Sequence, residues 1–202
     1  MSPWPWFSTA TMTQMGHHVS MSSSRVLVLV SAGVVTVLAL GFAPAANAAQ
    51  TKRVVEDPVE PGKAYDIVKV VLTSQKSETT FAKVVVKHGR EVEVGDSIDL
   101  WFNIDDDAEP DIHLVGDSFS EYTVFQTTSF DDDGKNISNK GCMDLKMDGF
   151  KSIVRFDPKC LKAGAKFAVS VKSSRSDRPA NAADYVPAPG KFTKKVLSGP
   201  LA

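Results

Sequence analysis

Apolar residues return at every second position through much of this chain, and that spacing commits it to strands rather than helices. In residues 97–104, Ile98, Leu100, Phe102 and Ile104 alternate with Ser97, Asp99, Trp101 and Asn103. Successive side chains of a strand leave opposite faces, so this stretch reads as a strand with one apolar and one polar side. Residues 66–74 and 80–88 carry the Val and Thr enrichment of strands. Residues 91–94 alternate as well, and Gly95-Asp96 supplies a turn before the next strand. Residues 111–115 and 121–127 follow, divided by a polar loop at 116–120. Met143, Leu145 and Met147 then alternate with Asp144, Lys146 and Asp148 until Gly149 breaks the run, and 152–157 and 167–172 complete the set. Short strands with turn residues between them predict an all-β fold, an antiparallel β-sandwich of jelly-roll or Ig-like type.

The beginning of the chain follows a different grammar. Arg25 precedes the apolar run 26–42, and a short Pro-containing segment ends in Ala46-Asn47-Ala48. This is the pattern of a secretory signal peptide with a small-x-small site, cleaved after Ala48. Ser31, Gly33 and Gly41 interrupt the run, and Lys52-Arg53 follow it. Positive charge on that side opposes the orientation of an uncleaved anchor, so membrane contact is expected only through the uncleaved segment. Residues 1–20 lie upstream of a second start at Met21 and read as an unstructured leader or a mis-called start; His17-His18 alone do not make a metal site.

The expected organisation is therefore a leader (1–20), a signal peptide (21–48), an extended N-terminal segment (49–64), a β-sandwich domain (65–175) and an irregular Pro-rich tail (176–202) packing on or extending from it. The exported part keeps all 24 acidic residues and 22 of the basic ones, a net charge of −2. That balance, with charges interspersed along the chain, gives no electrostatic reason to expect nucleic acid or an anionic membrane as partner. A secreted, extracellular monomer is expected. Its two cysteines, Cys142 and Cys160, form an even pair in an exported chain and read as a structural disulfide. Closing a loop of that size stabilises a fold by about 3 kcal/mol on a chain-entropy argument.

The run Trp101-Phe102-Asn103-Ile104-Asp105, then Glu121-Tyr122, then Arg155-Phe156-Asp157-Pro158-Lys159-Cys160-Leu161, then Asp184-Tyr185-Val186-Pro187 resembles a group of small, uncharacterised secreted actinobacterial proteins. These share a signal peptide, a strand ending in an Asp-rich loop, a cysteine pair and an Asp-aromatic-x-Pro element. The resemblance covers most of 66–196. It implies a β-sandwich and a secreted location, and it carries no catalytic residues.

Candidate sites come from three places. Asp105, Asp107, Glu109 and Asp111 alternate through one loop as the first oxygen ligands of a Ca²⁺ loop do, which makes Ca²⁺ the one cofactor the sequence suggests. Pro110 stands where that pattern has Gly, and the competing reading is a solvated turn. A second acidic run, Asp131-Asp132-Asp133-Gly134, reads first as a turn. Trp101, flanked on its face by Asp99 and Asn103, has the composition of a sugar-stacking platform, against which stands a second face covered by another segment such as the tail. His113 is expected to be exposed and His88 to continue the apolar side of its strand. A Ser/His/Asp group of Ser118 or Ser120, His113 and Asp111 can be drawn, without a strained nucleophile turn to support it. The leading expectation is a non-catalytic extracellular binding module for a glycan or protein ligand. The alternative is a small secreted hydrolase or inhibitor using the loops at 105–121.

Overall fold

The alternating segments do form strands, and two antiparallel sheets of them make a β-sandwich. The computed structural model describes residues 51–74 and 81–198. The expected export segment with Ala46 and Ala48, and the expected leader before it, lie outside the described residues. The strands are β1 (Lys52–Glu56), β2 (Ile67–Ser74), β3 (Ala82–His88), β4 (Asp96–Asn103), β5 (Ile112–Asp117), β6 (Tyr122–Gln126), β7 (Lys135–Asn136), β8 (Met143–Asp148), β9 (Lys151–Phe156), β10 (Lys166–Arg175), β11 (Asp184–Val186) and β12 (Val196–Leu197). Sheet A has the order β1-β2-β3-β9-β8 and sheet B the order β11-β10-β4-β5-β6-β7, with β12 also paired to β10. The chain lays down a meander in sheet A and a second in sheet B. It then returns through β9 beside β3 and β10 beside β4.

One hydrophobic core lies between the sheets. Sheet B contributes Ile98, Leu100, Phe102, Leu114, Phe167, Val169 and Val171; sheet A contributes Val70, Leu72, Val84, Val86, Leu145, Val154 and Phe156. These are the apolar positions of the period-two pattern, so the alternation decides which face points inward. Phe156 anchors the middle, packing edge-on against Phe102 at 5.2 Å and Phe167 at 5.0 Å, a favoured geometry for aromatic pairs. Gly116 belongs to β5 and not to the expected polar loop. A Cβ there would lie 2.1 Å from Leu145 Cδ2, so the side chain of one sheet occupies the space that glycine leaves in the other.

Cys142 and Cys160 are bonded, with Cα atoms 5.5 Å apart. Cys142 precedes β8 and Cys160 lies beyond the end of β9, so the bond clamps the open end of the β8–β9 hairpin. Residues 91–94, expected to alternate as a strand, run instead as a loop into the turn at Gly95. Asp96 draws the backbone N–H of Glu93 to its carboxylate at 2.7 Å, which curls the segment. The N-terminal stretch contributes strand β1 at the edge of sheet A, because Arg53 and Val55 face inward while Val54 and Glu56 face out.

The Pro-rich tail also folds against the domain. β11 pairs with one end of β10 and β12 with the other, and the Thr193 N–H donates to Val169 O between them. The tail thus lies along the edge of β10, satisfying backbone groups that an open edge would expose. Asp184, buried at 2 % exposure, fixes the connection by accepting the Ile67 N–H of β2 at 2.7 Å.

Candidate functional site

The residues picked as a ligand platform lie on the outer face of sheet B, as alternation places them, but that face is covered. Trp101 is 7 % exposed, and Asp99 and Asn103 are buried with it. The indole stacks on His113, its cross-strand neighbour, at 4.4 Å and 7°. Phe130 leans on Trp101 at 5.5 Å, and Phe192 of the tail packs on Phe130 at 5.2 Å. Two segments remote in sequence therefore form a second, smaller core, and Trp101 is a packing residue. His113, expected to be exposed, is buried for the same reason. Its Nδ1 lies 3.0 Å from Asp133 Oδ1 and its Nε2 lies 3.2 Å from Asp99 Oδ1.

Asp99 also accepts from Lys172 Nζ at 2.9 Å. Burial pushes its carboxyl up, but the bonds from His113 and Lys172, with the lysine charge, outweigh that and hold it below the ordinary range. A carboxylate this well satisfied is a structural anion under the tail.

The acidic loop resolves the other way from the Ca²⁺ expectation. Asp105 Oδ1 accepts the Asp107 N–H at 2.9 Å, Asp107 Oδ1 accepts the Glu109 N–H at 2.8 Å, and Asp111 Oδ2 accepts the Ile104 N–H at 2.7 Å. Asn103 Nδ2 donates to the carbonyls of Asp107 and Glu109. These are turn-stabilising bonds of short acidic side chains to nearby backbone. Among the described residues, no three His, Cys, Asp or Glu side chains gather so as to hold a metal. Asp105, Asp107 and Asp111 each turn one oxygen to a nearby backbone N–H, so here the four acidic residues shape a turn and do not converge. Burial, with Asp105 and Asp107 nearby, raises Asp111. The second acidic run is a turn: Asp132 accepts the Gly134 N–H, at a glycine with φ +65°, and Asp133 serves His113.

The drawn Ser/His/Asp group does not assemble either. Ser120 Oγ accepts the Met147 N–H at 2.8 Å, and both nitrogens of His113 face Asp99 and Asp133 rather than a serine. His88 is buried as expected, stacked on Tyr65 at 3.8 Å and bonded to Ser152 at 3.0 Å. Burial lowers it to about 3, so it is a neutral core imidazole. Tyr65 is pushed up by burial to about 12.

Two concave regions are the largest described. The larger, about 640 Å³, is lined by Lys63, Arg90, Glu93, Arg175 and Arg178. Most of its cations are already committed: Arg90 to Asp96 at 2.6 Å, Arg175 to Asp177 at 2.8 Å, Lys63 to Glu60 at 3.5 Å. The second, about 410 Å³, lies between Phe81, Lys83, Met143, Asp144 and Arg155 beside the disulfide. It opens on the outer face of sheet A, and there the electrostatics differ.

That face is a grid of five strands by three rows. The middle row is Val54, Val71, Val85, Ile153 and Lys146, each opposite the next. One flanking row is Lys52, Thr73, Lys83, Arg155 and Asp144; the other is Glu56, Lys69, Lys87, Lys151 and Asp148. On the three central strands, the flanks carry Lys69, Lys83, Lys87, Lys151 and Arg155 and no acid. Lys69 pairs with Glu56 at 2.8 Å. Among the described residues, Lys83, Lys87, Lys151 and Arg155 form no ion pair. The charges that look interspersed along the chain are segregated by the fold. Sequence reasoning missed this surface, although its signal was present in the alternations Lys83-Val85-Lys87 and Lys151-Ile153-Arg155. What the chain could not announce was that β3 and β9 are neighbours.

Among the described residues, no helix is long and apolar enough to cross a membrane. Comparison with family models and with curated proteins finds no match for this chain, so its residues and their arrangement carry the functional reading by themselves.

Proposed function

We propose that the protein is an exported, non-catalytic β-sandwich that serves as a binding module at the cell surface or outside the cell, and that it meets its glycan or protein partner with the outer face of sheet A. The observation that carries this reading is the set of cations on β2, β3 and β9, four of which form no ion pair among the described residues. Like charges placed directly opposite each other on adjacent strands lower stability. A surface that tolerates that cost has its compensation elsewhere, in a partner. The disulfide supports the exported half of the reading, since such bonds persist in oxidising compartments. The export signal and the resemblance to small secreted actinobacterial proteins agree with it.

The test is co-sedimentation with envelope fragments of the organism that makes the protein. The wild type is expected to sediment with them, and Lys83→Glu/Arg155→Glu to lose about tenfold in apparent affinity while melting at a similar temperature. A charge-reversed protein that is folded and sediments as well as wild type refutes the assignment to this face.

A further inference from the structure

Resting on that reading of sheet A, we infer that the ligand is a linear acidic polysaccharide that crosses the strands along the Val54–Val71–Val85–Ile153 row, with its anionic groups held by the cations on either side. The row is a floor of short β-branched side chains between two banks of longer ones. Val54 is 44 % exposed, and Val71, Val85 and Ile153 are half-buried. Each bank lies two residues away along a strand, about 7 Å from the row. Lys87 has Lys69 opposite it on one side and Lys151 on the other, and Lys83 faces Arg155 in the second bank. Adjacent strands are about 4.8 Å apart, so the central three strands present cations over about 10 Å along the row. That length suits two or three successive charged groups of a polymer rather than one isolated anion.

The charge pattern selects this occupant over others. Asp144 and Asp148 on β8, and Glu56 on β1, bound the cationic field at both ends. A polymer can run past those edges with its charges placed between them. A second copy of this face would set lysines against lysines. The segments outside the described residues bring little acid to neutralise it: residues 1–50 contain no Asp or Glu, 75–80 carry one Lys and one Glu, and 199–202 have no charged side chain. A lipid bilayer is disfavoured because the apolar row is recessed valine and isoleucine, and Phe81, just before β3, is a single projecting aromatic rather than the cluster of Trp, Phe or Leu that seats a surface in the headgroup region.

The experiment measures binding of the protein to dextran sulfate, to polygalacturonate, to uncharged dextran and to phosphatidylglycerol vesicles. Expected is binding to both acidic polysaccharides and not to dextran, weakening about tenfold or more between about 50 and about 300 mM NaCl as screening shortens. Lys87→Glu/Lys151→Glu is expected to lose about tenfold or more, and Lys194→Glu, a reversal in the tail, to stay within about twofold. Melting temperatures separate a lost site from a lost fold. Equal binding of dextran, or Lys87→Glu/Lys151→Glu binding as wild type, overturns the proposal. So does binding to the vesicles with none to the soluble polymers. Envelope binding that needs Lys83 and Arg155 but is not competed by either acidic polysaccharide overturns the polymer while leaving the face in place.

Discussion

Replacing Arg90 with alanine should be among the most damaging single changes at the surface of this domain. The guanidinium grips Asp96 through two bonds, Nη1 to Oδ2 at 2.7 Å and Nη2 to Oδ1 at 2.6 Å. It also donates to the Ala64 carbonyl at 2.7 and 3.2 Å and covers the Tyr65 ring at 4.9 Å. Asp96 is fully buried, and its only other cation is Arg175, at 3.8 Å. Without Arg90, a buried carboxylate keeps the Glu93 N–H and little else. Stranding a buried charge in this way costs about 3–5 kcal/mol, less what Arg175 at 3.8 Å recovers, and the lost ring contact adds about 1. The pair in Arg90→Ala/Asp96→Asn removes the stranded charge and should recover about half of that loss. Lysine at 90 keeps the charge but not the fork and should fall between wild type and alanine. Urea unfolding of the chain from residue 49 gives the numbers, with Trp101 as the buried reporter. An Arg90→Ala loss below about 1 kcal/mol, or a double variant whose loss is the sum of the singles, would refute this account of Asp96.

Asp57 sets a pH dependence. Burial first, then the charges of Asp184, Glu60 and Asp66, raise its carboxyl to about 6. The folded state therefore binds the proton more tightly than the unfolded chain does, and stability falls as pH rises from about 4 through about 6. Asp57→Asn should gain about 1 kcal/mol at pH 7, a figure discounted for the group's partial exposure, and nothing at pH 4. Melting curves at the two pH values check this; an equal gain at both would rule Asp57 out as the cause. Cys142→Ala/Cys160→Ala should lose about 3 kcal/mol, or about 6–12 °C in melting temperature. If reduction of the wild type leaves its melting temperature unchanged, the bond does not stabilise the fold.

The sandwich was legible because alternation reports directly which side of a strand is apolar, and Ile98, Leu100 and Phe102 all point where the pattern puts them. Alternation says nothing about what covers the other side. Trp101, Asp99 and His113 share the outer face that the pattern assigns them, yet Phe130 and Phe192 arrive from distant segments to bury it. The Asp105–Asp111 loop is drawn into a turn for a related reason: short acidic side chains satisfy nearby N–H groups as readily as they bind cations. β1, β11 and β12 were invisible because two to five residues carry too little periodicity, and their partners select them. The cationic face of sheet A needed the β3–β9 pairing, which only the fold supplies.

The tail along β10 has a consequence for how the protein responds to proteolysis. Among the described residues β10 is the longest strand, ten residues, and its outer edge is occupied by contacts from 184–197. A protease cutting between Arg175 and Asp184 would leave those segments joined to the domain by non-covalent contacts alone: the short pairings, the Asp184–Ile67 bond and the packing of Phe192 on Phe130. Their release would bare a long edge able to accept the same segments from another molecule. Damage there would thus open the domain to trading strands with its neighbours.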